Sequence, residues 1–215
     1  MKTVCIIPAR GGSKGIINKN ITPINNKPLI SYTISHALES RVDKVYVTTD
    51  SDKIASVATE CGAEVIFRPS ELAEDTTTTE QTLTHALHKI EQSGRVDIVV
   101  YLSCTQPYRY VSWINTCVEK VQYDGFDSAC VGYKTTKNYW SVSKGKHHKL
   151  WWNKYTNRQV RDYILQENTG AACATRSEII RSGDRIGESV YIVETEKYNL
   201  DIHEQLDVDV AEILL

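Results

Sequence analysis

Between Val4 and Asn20 the chain reads VCIIPARGGSKGIINKN, an apolar β-prone run followed by a glycine-rich turn that carries Arg10, Lys14 and Lys19. A strand ending in such a turn brings backbone N–H groups, the Ser13 hydroxyl and three cations to the carboxyl end of a sheet. That is chemistry for holding a polyphosphate. Gly11 and Gly12 let the backbone approach the phosphates, where a side chain would stand in the way. The spacing matches neither GxxxxGK[ST] nor GxGxxG, so neither a Walker loop nor a dinucleotide fold is implied. The plainer alternative is a strand-to-helix turn with solvated lysines.

Any polyphosphate must be met by locally placed cations, because 25 basic residues stand against 27 acidic ones over the 215 residues. That balance argues against nucleic acid as a partner, since a basic excess supplies most non-specific affinity for it. The six cysteines form no CxxC pair and fall mostly inside apolar runs, so they read as small buried hydrophobes of a reducing compartment. No apolar stretch approaches the length of a membrane span, and the first residues read as a strand with no cleavable signal pattern. A cytoplasmic protein with no membrane partner is the expectation, and the length suits one domain over residues 1–215.

The elements that must position the glycine turn alternate regularly. Pro28 opens a helix with Ile30, Ile34, Ala37 and Leu38 on one face, and residues 44–49 are a strand. Asp50 or Ser51 caps a second helix that Gly62 ends. A strand over 63–67 stops at Arg68-Pro69, and Leu83, Ala86, Leu87 and Ile90 mark a third helix. Residues 97–102 form a continuous apolar run, as in a parallel strand covered on both faces. A helix through Ile114 to Val121 and strands at 127–133, 170–175 and 189–193 follow, with a short helix at 177–180 and a last one at 206–215. This is an α/β chain with a largely parallel sheet, and its ligand site belongs beyond the strand carboxyl ends. The rhythm breaks at about 134–165, where Tyr139, Trp140, Trp151, Trp152 and Tyr155 mix with Lys144, Lys146, His147, His148 and Lys149. Such a segment reads either as an interface arm or as a small β-appendage on its own domain.

IPARGGSKGIINKN, TTDSDKIA, RPSELAEDTTTT, LSCTQPYR, ENTGAACATR, SVYIV and LDIHEQLDVDVAE follow one another in that order. Together they resemble the CMP-N-acetylneuraminate synthetases, also called acylneuraminate cytidylyltransferases, along nearly the whole chain. The resemblance implies a three-layer Rossmann-like nucleotidyltransferase fold with a small dimerisation arm, hence a homodimer. It implies transfer of CMP from CTP to the anomeric hydroxyl of a 2-keto-3-deoxy sugar acid, with Mg²⁺ as cofactor and release of pyrophosphate.

By the same resemblance Arg10, Lys19 and Asp201 are catalytic, and Ala9, Arg10, Gly11, Gly12, Ser13, Lys19 and Asn20 form the phosphate cradle. Arg68 would read the pyrimidine, a suitable task for a planar donor, with Thr78 and Thr79 near the nucleotide. The sugar side would comprise Ser103, Thr105, Gln106, Arg109, Arg158, Tyr163, Asn168 and Thr169. Lys14 is either a phosphate contact or a solvated flank, Asp75 a cap or a brace, and Arg109 either attracts the sugar carboxylate or braces its loop.

Three departures concern the acceptor and the metal. Ser103 stands where sialic acid enzymes commonly carry glutamine, and Thr169 is an extra residue in the usual N-G-A. Both point to an altered sugar pocket, because a lost amide leaves hydrogen bonds unmade. Asp201-Ile202-His203 replaces D-I-D, the family's magnesium segment. Alternation puts 201 and 203 on one side of an extended segment. An imidazole there suits Mn²⁺ better than Mg²⁺ if it binds at all.

Overall fold

The computed structural model describes residues 1–150, 157–197 and 199–215, so Trp151, Trp152 and Tyr155 lie outside the described residues. In chain order the elements are β1 (Thr3–Pro8), β2 (Pro23–Ile24), β3 (Lys27–Pro28), α1 (Leu29–Leu38), β4 (Lys44–Thr49), α2 (Asp52–Glu60) and β5 (Glu64–Phe67). They continue with α3 (Thr79–Glu91), β6 (Ile98–Tyr101), α4 (Val111–Tyr123), β7 (Ser128–Thr135), β8 (Trp140–Ser143) and β9 (Lys146–Lys149). The last are β10 (Ile164–Arg176), α5 (Ser177–Arg181), β11 (Val190–Thr195) and α6 (Gln205–Leu214).

Seven strands form one sheet in the order β11-β7-β10-β6-β1-β4-β5. β1 pairs parallel with β4 and β6, and β11 with β7, while β10 runs antiparallel to both its neighbours. β1 is central, and its alternation divides the core. Cys5 and Ile7 face the helices α1, α2 and α4, whereas Val4 and Ile6 face Leu83, Ala86, Leu87 and Ile90 of α3. Two apolar faces on one strand are what a sheet covered on both sides requires, and they explain why 97–102 has no polar period. The chain order turns outward in opposite directions from β1 and β6, so their carboxyl ends frame the crevice in which such sheets take ligands.

Two elements depart from the sequence expectation. β10 begins at Ile164, not at residue 170, because its first half is a polar, exposed partner of β7 with no apolar pattern to reveal it. Within it Asn168 pairs with Val131 and Cys173 with Cys130, so residues 169–172 bulge out of register. The extra Thr169 lies inside this bulge. The break in rhythm contains a separate two-stranded sheet, β8 with β9, in which every residue of β9 is exposed.

Candidate functional site

A cleft of about 430 Å³ opens where β1 and β6 end, lined by Pro8 and Tyr101 at the strand ends. One rim is the glycine turn, with Arg10, Ser13, Lys14, Gly15, Lys19 and Asn20. The opposite rim is Arg68 and the loop from Leu72 to Thr79 that leads into α3, with Thr82 one turn further on. Thr105 and His203 complete the lining.

The glycine turn is held from below. Ala9 N–H donates to the Thr48 carbonyl at 3.0 Å, and buried Asn20 donates through Nδ2 to the Arg10 carbonyl at 2.9 Å. Gly11 N–H is engaged by the Asp50 carboxylate at 2.9 Å, so Asp50 anchors the turn and does not cap α2. Ala9, Gly11 and Gly12 therefore shape the cradle without lining the cleft. Gly15 is required for another reason: a Cβ there would sit 2.6 Å from the His203 carbonyl oxygen. Lys19 Nζ donates to the Ile202 carbonyl at 2.9 Å, and its partial burial pulls its pKa down against the upward pull of Asp201.

Arg68 is 7% exposed and makes no ion pair among the described residues. Its Nη1 donates to Thr82 Oγ1 at 3.3 Å and its buried Nε has no partner among the described residues. Burial lowers its pKa, opposed by the charge of Asp50. A largely desolvated guanidinium that lines a cleft is suited to meet carbonyl oxygens of a ligand. Thr78 is the N-cap of α3 and forms a capping box with Gln81, so its side chain is already accepting from Gln81 N–H at 3.2 Å. The amino end of α3, with Thr79 in its first turn, faces the same cleft and adds a positive dipole end to it.

The other proposed acceptor residues separate into two groups. Ser103, Gln106, Arg109, Asn168 and Thr169 lie behind the cleft wall. Arg109 is buried and donates to the carbonyls of Ser103 at 2.6 Å and Gly170 at 3.3 Å, with burial pushing its pKa down to about 10. That is a brace, and it points away from solvent. The β10 bulge delivers the Gly170 carbonyl to Arg109 and also to Ser103 N–H at 2.8 Å. Asn168 bonds to Asn199 at 3.0 Å. Arg158 and Tyr163, by contrast, are exposed outside the cleft, and Tyr163 donates to Glu194 at 2.9 Å with Lys134 over its ring.

Asp201 and His203 meet as alternation requires, Nε2 to Oδ2 at 3.2 Å. Gln106 Nε2 approaches the same carboxylate oxygen at 3.2 Å, while the buried Asp201 Oδ1 has no partner among the described residues. An orphaned carboxylate oxygen beside a cleft of cations fits an oxygen-seeking divalent ion. Asp207 accepts from His203 N–H and Glu204 N–H, which cap α6 and lower its own pKa. Among the described residues no three His, Cys, Asp or Glu converge, so other ligands would come from phosphate and water. Tyr101, Thr77, Glu74, Leu72 and Thr82 also line the cleft and were not singled out from the sequence. Thr82 was findable, since it lies one helical turn from Thr78.

The family model described as cytidylyltransferase matches residues 4–196. This chain belongs to the cytidylyltransferase family. The CMP-N,N'-diacetyllegionaminic acid synthase of Campylobacter jejuni is 30% identical over 221 residues, covering 99% of this chain and 94% of that protein. The N-acylneuraminate cytidylyltransferase of Escherichia coli is 47% identical over 87 residues. That match covers 40% of this chain and 21% of the E. coli protein, so the chain matches only a fraction of that longer relative. In fold the chain resembles a solved CMP:2-keto-3-deoxy-manno-octonic acid synthetase complexed with CTP. The TM-score is 0.77 at 18% identity, over 100% of this chain and 98% of that one. Among the described residues no helix is long and apolar enough to cross a membrane.

Proposed function

We propose that the protein transfers CMP from CTP to the anomeric hydroxyl of a 2-keto-3-deoxy sugar acid of the nonulosonic class, with Mg²⁺ or Mn²⁺. The observation that carries this reading is Arg68, a buried guanidinium without an ion-pair partner among the described residues, which lines the cleft together with the glycine turn. A pyrimidine placed against Arg68 directs its phosphates toward Arg10, Lys14 and Lys19. The acceptor oxygen forms a bond to the α-phosphorus, the bond to the β-phosphate oxygen breaks, and the acceptor proton passes to solvent. Charge grows on the phosphoryl oxygens and on the departing pyrophosphate, so cations already fixed in place stabilise the transition state most. Asp201, with or without His203, would hold a divalent ion, which supplies further neutralisation of phosphate charge.

The sugar acid is supported by the relatives. A CMP-legionaminic acid synthase matches nearly end to end, and a pseudaminic acid cytidylyltransferase of Campylobacter jejuni is 37% identical over 129 residues. Exposed Trp140 and Val142 on the β8–β9 hairpin fit a contact between two copies, and a homodimer is part of the proposal.

The direct test is pyrophosphate release from CTP with Mg²⁺ or Mn²⁺. N-acetylneuraminate, a deaminated analogue, and legionaminate- and pseudaminate-type acids are offered in parallel. Turnover with one acid and not the others identifies the acceptor. CTP binding without turnover on any of them would instead favour a nucleotide-binding protein that has lost catalysis, to which the His203 replacement gives some support.

A further inference from the structure

Asp75 joins the two rims of the cleft. Its Oδ1 accepts from Arg10 Nη2 at 2.8 Å, and its other oxygen pairs with Lys14 Nζ. Arg10 also reaches the Ala73 carbonyl at 3.4 Å, so its guanidinium is committed to the opposite rim through both terminal nitrogens. The loop does not need this carboxylate for its own conformation. Thr78 and Gln81 cap α3, Ala73 N–H bonds to the Ser70 carbonyl, and Thr77 bonds to Glu71 and Glu74. The pairs with Lys14 and Arg10 hold the Asp75 pKa below the ordinary carboxylate range, so it is anionic wherever a nucleotide triphosphate would be bound.

We infer that Asp75 is an internal counter-anion that competes with incoming phosphates for Arg10 and Lys14, and so sets how much phosphate charge a ligand needs to occupy the cleft. The inference rests on the reading of this cleft as a polyphosphate site. A carboxylate carries one charge and two acceptor oxygens, so a triphosphate or pyrophosphate outcompetes it where an uncharged nucleoside has no means to do so. Once pyrophosphate has formed, the same carboxylate is at hand to reclaim Arg10 and Lys14, which favours its release. Solvent-exposed pairs of this kind contribute little to folding, so the contact can be exchanged without loss of the loop.

The test compares the full-length protein with Asp75→Asn and Asp75→Glu by titration with CTP, pyrophosphate and cytidine at several salt concentrations. Asp75→Asn is expected to bind CTP and pyrophosphate about fivefold more tightly, the size expected for removing a unit charge about 4 Å from an anion in a solvated cleft. Its affinity for CTP should fall more steeply with salt, cytidine should bind within twofold of wild type, and Asp75→Glu should behave like wild type. Unchanged or weaker CTP binding by Asp75→Asn overturns the inference and makes Asp75 an orienting partner of Arg10. Should asparagine disturb the loop, Asp75→Ser makes the same comparison. Failure of the wild-type protein itself to bind CTP or pyrophosphate overturns the polyphosphate reading beneath it.

Discussion

The rim that would take the nucleotide and the surface that would take the acceptor are built differently. The first stands on the ends of β1 and β6, strands whose side chains are almost wholly buried, and on the end of the partly exposed β5, which Arg68 follows. Arg68 and Asn20 are locked into it at 7% and 6% exposure. Of the candidates for the second, Arg158 and Tyr163 are exposed near the start of β10, whereas Gln106, Arg109, Asn168 and Thr169 are buried behind the cleft wall. Packing fixes a geometry where it surrounds a side chain, so the buried half can be rigid and the exposed half adaptable. On the proposed reading, cytidine recognition would rest mainly on buried side chains and acceptor choice in part on exposed ones.

Substitutions that respect or cross this division should separate cleanly. Lys19→Ala removes a cation tied to the Ile202 carbonyl and should lower kcat/KM for pyrophosphate release by about 10²-fold or more, as loss of one fixed transition-state donor does elsewhere. Arg68→Lys keeps the charge and loses the planar fork; CTP binding should weaken about tenfold, measured by calorimetry, with the acceptor KM unmoved. If the acceptor KM moved equally, the two halves would not be independent. Tyr163→Phe deletes the hydroxyl that bonds Glu194 and should leave CTP affinity unchanged while altering the acceptor KM by less than about threefold, since exposed polar contacts contribute little. A smaller effect concerns stability away from both halves. His36 is held neutral by burial, its pKa lowered to about 4, with Arg109 adding to the shift. Between the ordinary histidine pKa and that value the unfolded chain binds the extra proton. Folding stability is therefore full above about pH 6.5 and falls as the pH drops toward 4. His36→Gln should flatten that stretch of a denaturation profile.

The same division governs what could be read beforehand. β1, α1, β4, α2, α3, β6 and α4 announce themselves because Ile6, Ile34, Val47, Ile54, Leu87, Val99 and Ile114 must be apolar to be buried, at the period of the element that carries them. The glycine turn and Arg68 were legible for the same reason, being fastened to predictable strand ends. β9 reads Lys-His-His-Lys and is wholly exposed, so no burial constraint leaves a period in it. The start of β10 fails likewise. Within the site, residue type did not reveal direction. Gln106 and Arg109 sit in a loop whose sequence suits sugar contact, but Ser103 and the β10 bulge each offer Arg109 a carbonyl, and Asp201 offers Gln106 an acceptor, so both turn inward. The Asp50 contact with Gly11 was hidden because it joins residues 39 apart.

Gly15 lies against the backbone of His203, with Lys19 bonded to Ile202 beside it. Seen along the time axis of translation, that contact means a pocket begun around Gly15 waits for a segment 183 residues beyond Lys19. Until the segment around residue 203 has emerged, Lys19 lacks its anchor and the lining of the cleft is incomplete.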